Sequence, residues 1–144
     1  KVNVGVMDKA VAAALLMERT VRQVYEDRAS SAVQPLQWAI LRFLQSRPTS
    51  DARVATIAKY LGTTHAPISR AISTLTNRGL VVKVGGDRSS RTAPLVLTEK
   101  GRHTLTYDPI LQVAKKIAAL PDRERKLFEH VMMVLAMEQS YEYI

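Results

Sequence analysis

A row of small and polar residues follows Gly62 at positions that a helix would place on one face. Within GTTHAPISRAISTLTNRGLV, residues 62–81, they are Ala66, Arg70, Ser73, Thr74 and Asn77. Ile68, Ile72 and Leu75 recur at i, i+4 and i+7, so they line the other face. Guanidinium, hydroxyl and amide groups can hydrogen-bond to base edges or phosphates, and small residues allow a helix to enter the major groove. The pattern favours a helix that buries one face and binds nucleic acid with the other.

The first turn of this predicted helix suits an anion. Thr64 is placed to cap the helix, Pro67 is tolerated in the first turn, and Gly79 is placed to end the helix. Free backbone amides and the positive end of the helix dipole face a phosphate there. The predicted DNA contacts on this helix are Thr64, His65, Ala66, Ser69, Arg70, Ser73 and Asn77.

Two β-type runs, LVVKV and APLVLT, come next and are joined by GGDRSSRT. This pattern predicts a hairpin with a long basic tip. Arg88 and Arg91 in the tip can reach a narrow minor groove, and Lys83 and Lys100 can neutralise phosphates. A short helix, VATIAKYLG, precedes the polar helix. Two short helices around a glycine turn, followed by a basic hairpin, predict a winged helix-turn-helix.

The charge of the chain is concentrated in the same region. The 144 residues carry a net charge of +8, of which residues 35–61 contribute +3 and residues 62–103 contribute +5. Residues 1–34 (+1) and residues 104–144 (−1) cancel. A basic middle between neutral ends indicates a localised anion-binding surface. The alternative is a generally basic, solvated surface.

Helical periodicity extends over the rest of the chain. It predicts helices over residues 7–30 and 35–47, one from Thr98 or Glu99 to about residue 120 that kinks or restarts at Asp108-Pro109, and one from Pro121-Asp122 onward. Residues 10–17 are apolar on most faces, so we expect burial on more than one side. The predicted fold class is mainly α with a small β-hairpin wing. Residues 1–34 and 104–144 form a helical dimerisation region around the winged helix-turn-helix of residues 35–103, in a single domain overall.

Several classes of function find no support in the sequence. There is no cysteine, and the three histidines lack ligand spacing, so we expect no metal and no cofactor. No apolar run approaches the roughly 20 residues of a membrane span, and the absence of cysteine fits a cytoplasmic protein. A phosphate loop, a nucleophile motif and a carboxylate pair are all missing. We therefore expect a protein that is not an enzyme.

An ordered set of segments resembles the MarR (multiple-antibiotic-resistance regulator) family of winged-helix repressors. The segments are LQWAILRFL, IAKYLGTTHAPISRAISTLTNRGLV and LVLTEKGR, and the long flanking helices also fit in position and length. The resemblance implies a homodimer joined through its first and last helices. It also implies recognition of a palindromic operator in double-stranded DNA, with one recognition helix in each half-site.

The chain departs from the family pattern at two places. The wing usually carries Asp-x-Arg; Arg91 takes the arginine position, but Ser89 stands where the acid is expected and Asp87 comes two residues early. Ala55 stands where the third helix usually has a hydroxyl or acidic cap. The first departure leaves the shape of the wing open.

The resemblance also implies a site for a small aromatic or anionic effector. Arg42, His103 and Tyr107 are the candidate ligand contacts, whereas we assign Trp38 to the core because its neighbours are core-like. The predicted function is a dimeric, operator-specific transcriptional regulator, with repression expected and release by a ligand an option. The alternative is a winged-helix module that binds protein or RNA without regulating an operator.

Overall fold

The computed structural model describes residues 1–26, 32–47, 52–85 and 93–138. Within these ranges the chain is mainly helical, with one two-stranded antiparallel sheet, which confirms the predicted fold class. The elements in chain order are α1 (Val4–Val24), α2 (Pro35–Ser46), α3 (Val54–Leu61), α4 (His65–Asn77), β1 (Val81–Lys83), β2 (Leu95–Leu97), α5 (Glu99–Leu105), α6 (Ile110–Ala118) and α7 (Asp122–Glu138).

The chain divides into two compact units. The central unit comprises residues 25–108 and therefore extends beyond the predicted winged helix-turn-helix region at both ends. The terminal unit comprises residues 1–24 together with residues 109–144.

The core of the central unit is built on α2. Pro35 begins this helix, and the Gln37 side chain accepts a hydrogen bond from the Gln34 backbone amide at 3.1 Å, which fixes the helix start. The helix packs against α3, α4, α5 and β2. Its buried apolar side chains are Trp38, Ile40, Leu41, Phe43 and Leu44. The burial of Trp38 confirms its assignment to the core.

Glycine ends both helices of the helix-turn-helix. Gly62 closes α3 with φ 66°, and Gly79 follows Arg78, the C-cap of α4, with φ 74°; both lie in the left-handed region that glycine adopts without strain. Ile68, Ile72 and Leu75 are buried along one side of α4, as their spacing predicts. The opposite side of α4 must therefore face away from the core.

The base of the wing is a two-stranded ladder that is also hydrogen-bonded to the segment before α3. Val81 pairs with Leu97 and Lys83 with Leu95 in the antiparallel ladder. The Leu95 amide donates to the carbonyl of Ala52 at 2.8 Å, which ties the ladder to the segment that leads into α3. The wing tip, with Arg88 and Arg91, lies outside the described residues.

A close backbone approach joins the end of the wing to the end of α4. Thr98 caps α5 by accepting from the Gly101 amide, and its hydroxyl donates to the carbonyl of Gly79. A Cβ at Gly101 would lie 2.1 Å from the carbonyl oxygen of Leu80. Only glycine fits there, which gives a physical reason for the TEKG sequence after the wing.

The predicted restart at Asp108-Pro109 is confirmed: α5 and α6 are separate helices, because Pro109 has no backbone N–H to continue a helix from Asp108. Two other sequence-based expectations need correction. The first helix begins three residues earlier than predicted, at Val4, and ends at Val24. Ala55 is not a cap, because α3 begins at Val54 and Arg53 takes the N-cap position without a side-chain hydrogen bond.

The terminal unit buries very little in a single chain. Its α1 packs against α6, yet no described residue of this unit is buried. The expectation that residues 10–17 are buried on more than one side is therefore wrong for the single chain, because one neighbouring helix covers only part of such a surface. None of the described helices is both long enough and apolar enough to span a bilayer.

We expect Gly101→Ala to destabilise the central unit by about 1–3 kcal/mol or more, because the new methyl group must displace backbone. Urea unfolding followed by circular dichroism measures the change. Gly5→Ala is the matched control, since Gly5 is also helical but the nearest atom to its Cβ is a side-chain oxygen at 3.4 Å. Equal stability of the two variants would contradict the close approach at Gly101.

Candidate nucleic-acid interface

The outward side of α4 lines an open hollow of about 800 Å³. Val54 at the start of α3 and Lys83 at the end of β1 form its sides. Six of the nine predicted DNA contacts meet there: His65, Ala66, Ser69, Arg70, Ser73 and Asn77. The structure therefore brings most of the candidate residues to one concave surface, which we call the α4 hollow.

The α4 hollow is electropositive. Arg70 and Lys83 are its cationic lining residues, and no carboxylate takes part in the lining. Residues 52–85 contain five Lys or Arg and no Asp or Glu. A surface without carboxylates does not repel phosphate oxygens, so this region suits a polyanion.

The polar side chains of α4 differ in their availability. Thr74 and Thr76 donate their hydroxyl hydrogens to the carbonyls of Arg70 and Ile72, four residues earlier. Within the described part of the chain, no hydrogen bond or ion pair engages the side chains of Ser69, Arg70, Ser73 or Asn77. These four side chains are exposed and keep their donors and acceptors for an external partner.

One residue of α4 is less exposed than the helical pattern suggests, and the predicted N-cap residue makes no capping hydrogen bond. Thr74, expected on the DNA-facing side, is half-buried and lines a separate shallow recess with Gln34 and Pro67. Thr64 takes the N-cap position with extended backbone, but its side chain makes no capping hydrogen bond. The amides of the first turn of α4 thus receive no side-chain cap from Thr64, which leaves this helix end able to bind an anion.

The two lysines assigned to phosphate contact have different surroundings. Lys83 lines the α4 hollow, although it stood outside the main candidate set. The short connection from α4 into β1 returns the strand beside its own helix, which places Lys83 there. Lys100 instead donates to the carbonyl of Arg78 at 2.9 Å and so caps the C-terminal end of α4.

The candidate ligand residues fall into two groups. Arg42 donates from Nε and Nη2 to the two carboxylate oxygens of Asp108, both at 2.6 Å, and from Nη2 to the Tyr25 hydroxyl at 2.6 Å. His103 and Tyr107 pack ring edge to ring face with centroids 5.6 Å apart. In the described part of the chain, no hydrogen bond or ring contact joins Arg42 to either ring. Sequence reasoning did not identify Asp108 or Tyr25, because both are far from Arg42 in the chain.

The cluster around Arg42 is a strongly held charge. The hydrogen bond to Asp108 raises the pKa of the Arg42 guanidinium, partial burial opposes the rise, and the bond to Tyr25 adds to it. A bidentate pair of this kind fixes both side chains in one geometry. In the described ranges, no group of three or more His, Cys, Asp or Glu side chains is placed to hold a metal ion.

The chain was compared in sequence with known families and with curated proteins. A sequence model described as the MarR family matches residues 33–91. None of the curated proteins compared with the chain is significantly similar to it.

Solved structures share the fold over nearly the whole chain. A MarR family transcription regulator has a TM-score of 0.71 at 21% identity, covering 93% of this chain and 90% of its own. A MarR family protein from Bacillus stearothermophilus has a TM-score of 0.68 at 18% identity, and the match covers 97% of this chain and 99% of that protein. Streptococcus pneumoniae FabT, solved in complex with DNA, has a TM-score of 0.66 at 14% identity, and the match covers 96% of this chain and 98% of FabT. The chain thus resembles the MarR family in sequence over residues 33–91, and it shares its fold with MarR family proteins over nearly its whole length.

Proposed function

We propose that this chain is a homodimeric transcriptional repressor that reads a palindromic operator with α4. The α4 hollow carries the proposal, because it combines four unengaged polar side chains, one of them the cationic Arg70, with Lys83 and no carboxylate. This composition matches the polar base edges and charged backbone of duplex DNA. The structure of FabT with DNA supports the same use of the fold. We assign no catalytic role to the chain.

Each contact has a distinct role in this proposal. Arg70 can bind guanine O6 and N7 in a bidentate manner, and Ser73 and Asn77 reach base edges further along the helix. Thr64, His65 and the first-turn amides of α4 bind a phosphate, and Lys83 binds another. Arg88 and Arg91, in the wing tip, remain proposed minor-groove contacts.

Dimerisation is proposed from the exposed apolar surface of the terminal unit. Leu16 is 61% exposed and Phe128 is 37% exposed. Both line an apolar groove of about 550 Å³ within this unit, together with Met17, Val113 and Ile117. A surface of this kind is costly in water and marks an interface. A second copy of the chain supplies a matching apolar surface through a two-fold axis.

The proposal also includes release by a small aromatic or anionic effector. Arg42 uses Nε and Nη2 for Asp108 and Tyr25, and its side chain is 31% exposed. Its remaining nitrogen, Nη1, makes no hydrogen bond to the described residues. The exposed Tyr107 ring and its partner His103 provide an aromatic surface.

Selection of bound sequences from a random duplex pool at moderate salt tests the main proposal. Enrichment of a palindrome with half-sites about one helical turn apart is the expected result. Binding without enrichment would leave a charge-driven, non-specific DNA binder. The absence of DNA binding would favour the protein- or RNA-interaction module instead.

We expect Arg70→Ala to weaken binding to the selected operator by about 1–3 kcal/mol, or roughly 5- to 150-fold, and to relax preference at one base pair per half-site. Thr76→Val is the matched control, because the Thr76 hydroxyl is already bonded to the backbone. Fluorescence anisotropy with operator variants measures both effects. A uniform loss across all sequences would instead make Arg70 a phosphate contact.

Leu16→Glu should convert the dimer to a monomer, because it places a charge in the apolar groove of the terminal unit. Tyr60→Glu is the control, since Tyr60 is 58% exposed in the central unit and lies outside the proposed interface. Sedimentation velocity at several concentrations separates the two variants. A dimer that persists with Leu16→Glu at low micromolar concentration would rule out this surface.

Titration of the operator complex with a panel of small aromatic carboxylates tests the effector. We expect at least one compound to release the DNA, and Tyr107→Phe with His103→Ala to lower its potency, because the aromatic surface is altered. Operator affinity that is unchanged by every compound would count against release by this class of ligand.

A further inference from the structure

Arg42 joins the two ends of the central unit. Tyr25 is the first residue of that unit and Asp108 is the last, and the guanidinium of Arg42 hydrogen-bonds to both side chains. The chain passes between the two units only at these two positions. One side chain on α2 therefore holds both covalent connections, an arrangement that we call the Arg42 clamp.

The clamp is rigid by its own geometry. The carboxylate of Asp108 receives two parallel hydrogen bonds and is only 5% exposed, so this end is almost fully withdrawn from water. Bidentate guanidinium–carboxylate pairs restrict orientation as well as distance. The third bond, to Tyr25, adds a fixed point for the other connection.

Little chain separates the clamp from the helices of the terminal unit. Val24, the last residue of α1, immediately precedes Tyr25, and only Pro109 lies between Asp108 and the start of α6. Proline has a fixed φ, which limits bending at that step. The clamped residues are therefore joined in the chain to the end of α1 directly and to the start of α6 through one proline.

We propose that Arg42 is a positioning residue that sets the spacing between the two recognition helices of the dimer. The proposal rests on the proposed function, since spacing matters only if two copies of α4 bind one operator. With the clamp closed, the two connections leave the central unit in one defined direction. Without it they have several directions, and the dimer no longer prefers a single half-site spacing. The clamp acts without touching DNA.

The test compares full operators with half-sites. The variants are Arg42→Met, Asp108→Asn and Tyr25→Phe, and binding is measured at one salt concentration to three duplexes. These are the selected palindrome, the same palindrome with half-sites moved by one or two base pairs, and a single half-site. We expect Arg42→Met and Asp108→Asn to lose about 5- to 150-fold on the palindrome, the usual range of coupling between sites. Half-site binding should be unchanged, and the preference for one spacing should be reduced.

A simple change in net charge cannot explain a loss of palindrome binding in both Arg42→Met and Asp108→Asn. Arg42→Met removes a positive charge and Asp108→Asn removes a negative one, so a purely electrostatic effect on DNA affinity would have opposite signs. Arg47→Met is the control, because Arg47 is on the same helix but its guanidinium stacks on Tyr60 at 4.8 Å, away from the clamp. Its spacing preference should match the wild type. Tyr25→Phe keeps the ion pair and should give a smaller loss.

The outcomes separate the two proposals. Equal losses on palindrome and half-site, or an unchanged spacing preference in Asp108→Asn and Tyr25→Phe, would overturn the clamp and leave a merely structural ion pair. Circular dichroism and thermal unfolding identify variants that fail to fold. If Arg42→Met fails to fold, the results for Asp108→Asn and Tyr25→Phe test the proposal. A wild-type chain that selects no palindrome would overturn the proposed function, and the clamp would fall with it.

Discussion

The packing of Ile68, Ile72 and Leu75 into the core beneath α4 is the constraint on which the candidate interface depends. Burial of each side chain stabilises the fold by about 1.5–3 kcal/mol, so the helix cannot rotate without losing several kcal/mol. The three residues fix which side of α4 faces outward, and the small polar residues lie on that side. Gly62 ends the preceding helix and Gly79 follows the C-cap of α4, and each turns the chain with a positive φ. The exposed face is thus determined by the buried one.

Local patterns were enough to predict most of the central unit. Apolar spacing and glycine positions located α3, α4 and the wing, since these depend on residues close together in the chain. Sequence reasoning failed for features that depend on contacts between residues far apart in the chain. The Arg42–Asp108 pair spans 66 positions, and no periodicity indicates it. The half-buried position of Thr74 depends on the neighbouring α2 rather than on α4 itself, and the wing tip lies outside the described residues.

The surfaces of the two units differ in chemistry. The central unit has a closed apolar core and a basic exterior, whereas the described part of the terminal unit buries no residue and exposes leucine, methionine and phenylalanine. A basic polar surface suits a polyanion, and an exposed apolar surface suits another protein surface. The near-zero net charge of the two chain ends fits this division, because charge repulsion would oppose the association of two copies. The two units therefore present surfaces of different character, as the two proposed interfaces require.

A single recognition helix of this composition cannot account for operator specificity alone. One good bidentate contact discriminates by about 1–3 kcal/mol, and specific sites are typically bound about 4–10 kcal/mol more tightly than random DNA. The α4 hollow offers one arginine, two serines and one asparagine with free side chains, so the proposed function requires contacts from a second copy. Two copies add their contacts only when both fit their half-sites at once, which makes the distance between them part of the recognition. Residues that set this distance, the role proposed for Arg42, would then affect specificity as directly as residues that touch bases.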